Sequence, residues 1–207
     1  MPKDKSLFYY GSMFHRLFDS QLAEAREVTV ELIPEGSSVL DIACGTGQLC
    51  FALRGQKNCY VVGLDLSLRM LDFAQKSNPY PDITFIHEDA NDLSRFKDNS
   101  FNYATMLMIM HEVPRQQQVC ILKEALRVAR KGIIIDSVVP LPKNAGGIGI
   151  RVVEKTIGHD HNANFKAFLA TGGIKNIIQE SGLQLEIEHS GLFWRNCRQV
   201  VVVTKPT

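Results

Sequence analysis

The sequence predicts a doubly wound α/β fold: a mostly parallel, seven-stranded sheet ending in a C-terminal antiparallel hairpin. Three observations predict it. Short apolar runs alternate with segments of helical spacing as far as residue 139, the rhythm of right-handed crossovers that cover both faces of a sheet. The first run, residues 39–42, carries an acid, Asp41, and passes directly into the turn Ala43-Cys44-Gly45-Thr46-Gly47. Near the C-terminus, runs at 185–187 and 199–204 are joined through 191–196, a connection too short for a parallel crossover, so they run antiparallel.

Taken in order, Phe14, Phe18, Leu22, Ala25, Val28 and Leu32 return at helical spacing until Pro34 and Gly36 stop the pattern, giving an opening helix. Residues 39–42 form the first strand, and helical spacing resumes over 47–53 until Gly55. Residues 60–64 form the second strand. Ser67 is placed to cap a helix whose apolar face holds Leu68, Leu71 and Ala74, and Pro79 and Pro81 break the chain after it. The third strand is 83–86, and the fourth lies in the apolar block 101–110. Val119, Leu122, Leu126 and Ala129 line one face of the next helix, which Gly132 is expected to end; the fifth strand follows at 133–139. Beyond it, Pro140 and Pro142 forbid a regular continuation, and the polar, glycine-containing stretch 143–161 reads as a lid or insertion. Helical spacing returns at 165–169 and 174–178, and Gly182 closes it.

A chain of 207 residues, 45% of them hydrophobic, buries a sizeable core within one domain. The expected division is an N-terminal helical lid (1–36), a ligand-binding core (37–139), a variable lid with helices (140–182) and the hairpin (183–207). The 23 basic and 22 acidic residues nearly cancel, so no global field draws the protein to nucleic acid or to an anionic membrane, and a small partner is expected. Five cysteines, an odd number without a C-x-x-C pair, read as reduced core thiols. Residues 1–5 are polar and lead into no long apolar run, and no stretch reaches the ~20 apolar residues of a membrane span. A cytoplasmic protein is expected, with monomer and dimer both open.

Asp65 ends the second strand 18 residues past Gly47. Glycines let the backbone turn tightly and approach a ligand, and an acid at that distance can accept both hydroxyls of a ribose, which points to an adenosyl compound. A nicotinamide dinucleotide fold shares that logic. Against it, the third glycine of its fingerprint would fall at Cys50, Asp41 precedes the turn, and the chain ends in a hairpin instead of a second nucleotide-binding half.

Over nearly its whole length the chain resembles the class I S-adenosylmethionine-dependent methyltransferases of the small-molecule branch often called methyltransferase type 11. Residues 39–47 resemble that family's first motif, Gly63-Leu64-Asp65-Leu66-Ser67 its second, Glu88-Asp89-Ala90 its third, and 101–111 its fourth-strand motif. One departure is Ala43, where the family usually has glycine. The resemblance implies a Rossmann-like methyltransferase fold and transfer of a methyl group from S-adenosylmethionine to a small organic acceptor, apolar or aromatic in character, with release of S-adenosylhomocysteine. No metal is required. A non-catalytic binder of the same cofactor and an NAD-linked oxidoreductase are the alternatives.

By the same resemblance Asp41 receives the cofactor's amino group, directly or through water, and the backbone of Ala43, Cys44, Gly45 and Gly47 shapes the pocket for its methionine part. Asp65 holds the ribose hydroxyls. Asp89 and Ala90 meet adenine, Leu66 and Met70 pack on ribose and base, Met106 and Leu107 flank the cofactor, and Tyr10 closes over it. Each has a plainer alternative: turn bonding for Asp41, a helix cap for Asp65, a loop acid for Asp89, core packing for the apolar residues. His111 is the candidate general base if the acceptor loses a proton, since imidazole titrates near neutrality; its alternative is a packing role. Glu112, Asp136, His159 and His161 are further candidates. His159 and His161 bracket Asp160, but an H-x-H pair without an accompanying cysteine or carboxylate cluster at ligand spacing reads as solvated.

Overall fold

The computed structural model describes residues 11–206, with side chains from residue 22 onward. The described elements run α1 (Gly11–Leu32), β1 (Ser38–Ile42), α2 (Gln48–Lys57), β2 (Tyr60–Asp65), α3 (Leu68–Ser77), β3 (Thr84–His87), β4 (Phe101–Leu107), α4 (Arg115–Val128), β5 (Ala129–Ser137), α5 (Ala145–Ile157), α6 (His159–Ala170), α7 (Gly173–Ser181), β6 (Glu186–Phe193) and β7 (Arg198–Thr204). The seven strands form one sheet in the order β3-β2-β1-β4-β5-β7-β6. Strands β1 to β5 pair in parallel; β7 runs antiparallel to both β5 and β6. The strand order reverses beside β1, where β2 lies on one side and β4 on the other. In an open α/β sheet that reversal leaves a crevice at the carboxyl ends of the strands.

Alternation along each strand splits the core in two. Leu40, Ile42, Ala104, Met106 and Ile134 pack with α4 and α7 through Leu122, Leu126, Ile174 and Ile177. Val39, Val61, Ile133, Ile135 and Val202 face the other way, against Ala25, Val30, Leu49 and Leu53 of α1 and α2. Both faces of the parallel strands are therefore covered, which is why these strands read as continuous apolar runs.

The expected elements are present, with shifts that have local causes. Ser67 caps α3 as expected, its Oγ accepting from the Met70 N–H at 3.4 Å. Helix α2 runs through Gly55 to a left-handed cap at Asn58 (φ 49°). Helix α4 passes into β5 at Ala129, so Gly132 lies inside the strand, paired with Ala104 and Val203, and does not end the helix. The hairpin strand β6 extends to Phe193, taking in Gly191. The largest correction concerns 143–161, which forms α5 and the start of α6 where sequence alone gives only a lid. Asn144 caps α5, its Oδ1 accepting from the Gly147 N–H at 2.9 Å. Gly147 is required there, because a Cβ at that position would run into the Pro142 carbonyl oxygen. A residue needed for close approach thus carries the signature of a turn.

Candidate active site

Three loops leaving β1, β2 and β3 meet at the carboxyl edge. The turn after β1 is built from left-handed residues: Ala43 (φ 58°), Gly45 (φ 54°) and Gly47 (φ 78°). Ala43 holds this conformation at a steric cost of ~1–2 kcal/mol. The two glycines serve different ends. A Cβ on Gly45 would meet nothing within 4 Å, so this stretch of backbone faces open space. One on Gly47 would stand 2.9 Å from the Phe85 ring and 3.1 Å from Ala74, so that glycine lets α2 and α3 close on the turn.

Asp65 ties the loops together. Its Oδ2 accepts from the Gly45 N–H at 2.8 Å and its Oδ1 from the Ser67 N–H at 2.7 Å. Each carboxylate oxygen keeps a lone pair beyond these bonds, so the capping role and a ligand role are compatible. Burial raises its pKa against the lowering by the Ser67, Gly45 and Leu66 amides and by His87. Asp41 lies deeper, 2% exposed. It sits opposite Thr105 in the β1–β4 register and accepts from the Thr105 hydroxyl at 2.7 Å and the Cys50 thiol at 3.4 Å. Burial raises its carboxyl to about 6, with Thr105 and Cys50 opposing and Asp65 adding to the rise. Two acids thus crowd one turn, Asp41 beneath it and Asp65 beside it.

The remaining expected contacts separate by environment. Leu66 is 57% exposed on the edge, and Ala90 is half-buried. Asp89 is exposed and closes an Asx turn, its Oδ1 accepting from the Asn91 N–H at 2.9 Å. Leu107 is half-buried on the Asp41 face. Met70 is almost fully buried, and Met106 is fully buried among the α4 and α7 side chains, because alternation turns it away from Leu107. The Met106 side chain is core. Cys44 is half-buried beside Cys50 and, like all five cysteines, free. Tyr10 lies outside the described residues.

A second group of polar residues lies where β4 and β5 end. Asp136 at the end of β5 is fully buried and accepts from His111, through the backbone N–H at 3.1 Å and through Nδ1 at 2.8 Å. The other ring nitrogen, Nε2, lies 3.5 Å from Glu154 Oε1 of α5, and Glu154 Oε2 also takes a short bond from His161 Nε2 of α6. Burial pulls the His111 pKa down, but the charge and hydrogen bond of Asp136, with Glu154 and Glu112, outweigh it and bring it up to about 9. Burial raises Glu112 as well, opposed by His111 and His161. Its backbone carbonyl accepts from Asn164 Nδ2 at 2.6 Å, which fixes α6 to this loop. His159 is exposed and solvated as expected; His161 is not, because α5 brings Glu154 beside it. Glu154 is the residue that sequence reasoning missed. Its position follows from a helix hidden behind glycines.

Residues 39–132, which hold the β1 turn, Asp65 and Asp89, match the family described as "Methyltransferase domain". A demethylmenaquinone methyltransferase of Bacillus licheniformis is 38% identical over 128 residues, 59% of this chain and 54% of that protein. Over residues 39–132 the chain is thus similar to methyltransferase domains. A 2-phytyl-1,4-naphtoquinone methyltransferase of Nostoc punctiforme is 34% identical over 110 residues, 49% of this chain and 46% of that one. The chain therefore spans about half the length of the curated relatives it matches. Among solved structures, a Pyrococcus horikoshii protein superposes with a TM-score of 0.70 at 19% identity, covering 94% of this chain and 99% of its own. An S-adenosylmethionine-dependent methyltransferase of Aquifex aeolicus gives 0.66 at 17% identity, covering 95% and 98%. At these identities the structures speak for the fold. Among the described residues, no helix is long and apolar enough to cross a membrane.

Proposed function

We propose that this protein transfers a methyl group to a small, apolar ring compound of the quinone class. The observation that carries the cofactor half is the turn after β1: left-handed, open above Gly45, and flanked by the carboxylates of Asp41 and Asp65. S-adenosylmethionine fits that chemistry, since it is a cation with an ammonium group and a ribose, and it supplies the methyl group when bound. The remaining lone pairs of Asp65 take the ribose hydroxyls while its amide bonds hold it in place. Asp41 acts as a buried counter-charge to the ammonium, through the turn or a water. Asp89 and Ala90 border the adenine position, and exposed Leu66 offers it an apolar surface.

The acceptor half rests on the relatives' names and on the near-neutral charge of the chain. Alignment is the main contribution asked of the protein, and positioning alone lowers a bimolecular barrier by ~7–11 kcal/mol. General-base catalysis gives ~10²–10⁴-fold, a smaller amount. In this reading His111 positions and does not take the acceptor's proton, because Asp136 already keeps its ring protonated at neutral pH.

Incubation with methyl-labelled cofactor and a panel of quinols, phenols and amines tests the proposal. Label is expected in the quinol fraction. Cofactor binding without transfer to any acceptor would favour the non-catalytic alternative, and label in amines alone would overturn the acceptor class.

A further inference from the structure

His111, Glu154 and His161 come from three separate elements, the β4–α4 connection, α5 and α6, and their ligand atoms converge. One nitrogen or oxygen from each lies within 4.8 Å of the other two. Two imidazoles and one carboxylate form a donor set for a borderline divalent cation. Ions of this kind bind such ligands at ~2.0–2.2 Å, which in a tetrahedron puts the ligand atoms about 3.3 Å apart. The His111 Nε2 to Glu154 Oε1 separation is already 3.5 Å.

The surroundings are those of a ligand-orienting shell. Asp136 accepts from His111 Nδ1 at 2.8 Å, which holds the ring and leaves Nε2 facing Glu154. Metal-bound histidines are commonly held by a carboxylate in this way. The His111 and His161 rings meet edge to face at 5.4 Å, and Phe165 lies edge-on to His111 at 5.7 Å, walling the group from water. Side-chain exposure is 3% for His111, 5% for Glu154 and 9% for His161. Charges facing the group are Asp136, Glu112 and the buried guanidinium of Arg198, whose Nη1 donates to the Ser137 hydroxyl at 2.6 Å. The carboxylates outnumber that cation, so a divalent ion meets a site with negative charge to spare.

We propose that His111, Glu154 and His161 bind one divalent transition-metal ion of the zinc class, clamping α5 and α6 to the end of β4. Three protein ligands leave a fourth position for water. Ions that prefer all-oxygen shells, magnesium and calcium, do not suit two imidazoles. The proposal does not depend on the methyl-transfer reading.

The test uses the full chain, stripped with chelator and titrated with zinc by calorimetry and with cobalt by visible absorption. Expected are one equivalent bound, the visible band of four-coordinate cobalt without thiolate charge transfer, and a higher Tm with zinc but not with magnesium. Glu154→Gln and His161→Ala should each weaken binding at least tenfold, Asp136→Asn by ~10–100-fold, and the exposed neighbour His159→Ala not at all. Circular dichroism confirms that each variant is folded; if one is not, the stoichiometry and cobalt spectrum of the unaltered chain decide. No binding by the folded chain overturns the proposal, leaving a hydrogen-bonded polar cluster. So does a cobalt spectrum with thiolate character, or zinc binding that survives both ligand substitutions.

Discussion

At Asp65 a single carboxylate serves two partners before any ligand arrives, since it holds the Gly45 and Ser67 amides at 2.8 and 2.7 Å. Asp65→Ala removes an acceptor from both amides and, in the proposed complex, from the ribose. S-adenosylhomocysteine affinity should fall by about 1.5–3 kcal/mol, the worth of hydrogen bonds to a charged group, measured by calorimetry. Unchanged affinity would leave the residue as a helix cap alone. Asp41 makes a prediction in pH. Its carboxyl is raised from 3.8 to about 6 in the folded chain, chiefly by burial. Between those values the unfolded chain has lost this proton while the folded chain keeps it, so the Asp41 contribution to stability falls as pH rises through pH 4–6. The loss is about 3 kcal/mol. Urea unfolding of the parent chain and Asp41→Asn should therefore show the variant gaining relative stability across that window, and a pH-independent difference would contradict the burial account. Both acids were legible in the sequence because they sit at strand ends beside glycines. The partners of Asp41, Thr105 and Cys50, were not, since one is supplied by strand register and the other by the path of α2.

At the scale of elements, the strands and helices up to β5 were readable because each carries its own periodicity and punctuation. Residues 143–161 were not, and the cause is specific. Gly147 lies against the Pro142 carbonyl in the first turn of α5, a packing need that local sequence cannot distinguish from a turn. Gly147→Ala should accordingly destabilise the chain, although alanine is the better helix former in isolation. Overpacking of this kind costs about 1–3 kcal/mol, and thermal unfolding should show Tm lower by ~2–4 °C per kcal/mol in a chain of this size. A rise in Tm would mean that α5 is free to move off the loop. Missing α5 also meant missing Glu154, and with it the surroundings of His161. The same cause hid a helix and a polar cluster.

For the whole molecule, topology explains why the candidate site residues gather at one edge. The sheet reverses its order beside β1, so the loops after β1, β2, β3 and β4 open on the same side, and β5 delivers Asp136 there. The formal net charge of +1 gives no long-range pull on polyanions, whereas Asp41 and Asp65 place negative charge locally at the turn. A small cationic nucleoside is the ligand that matches this distribution. Calorimetric titration of the chain with S-adenosylhomocysteine, run beside NAD, tests that claim most directly. One saturable site for the former and none for the latter is the predicted result. Heat from NAD alone, or from neither compound with the protein folded, would contradict it.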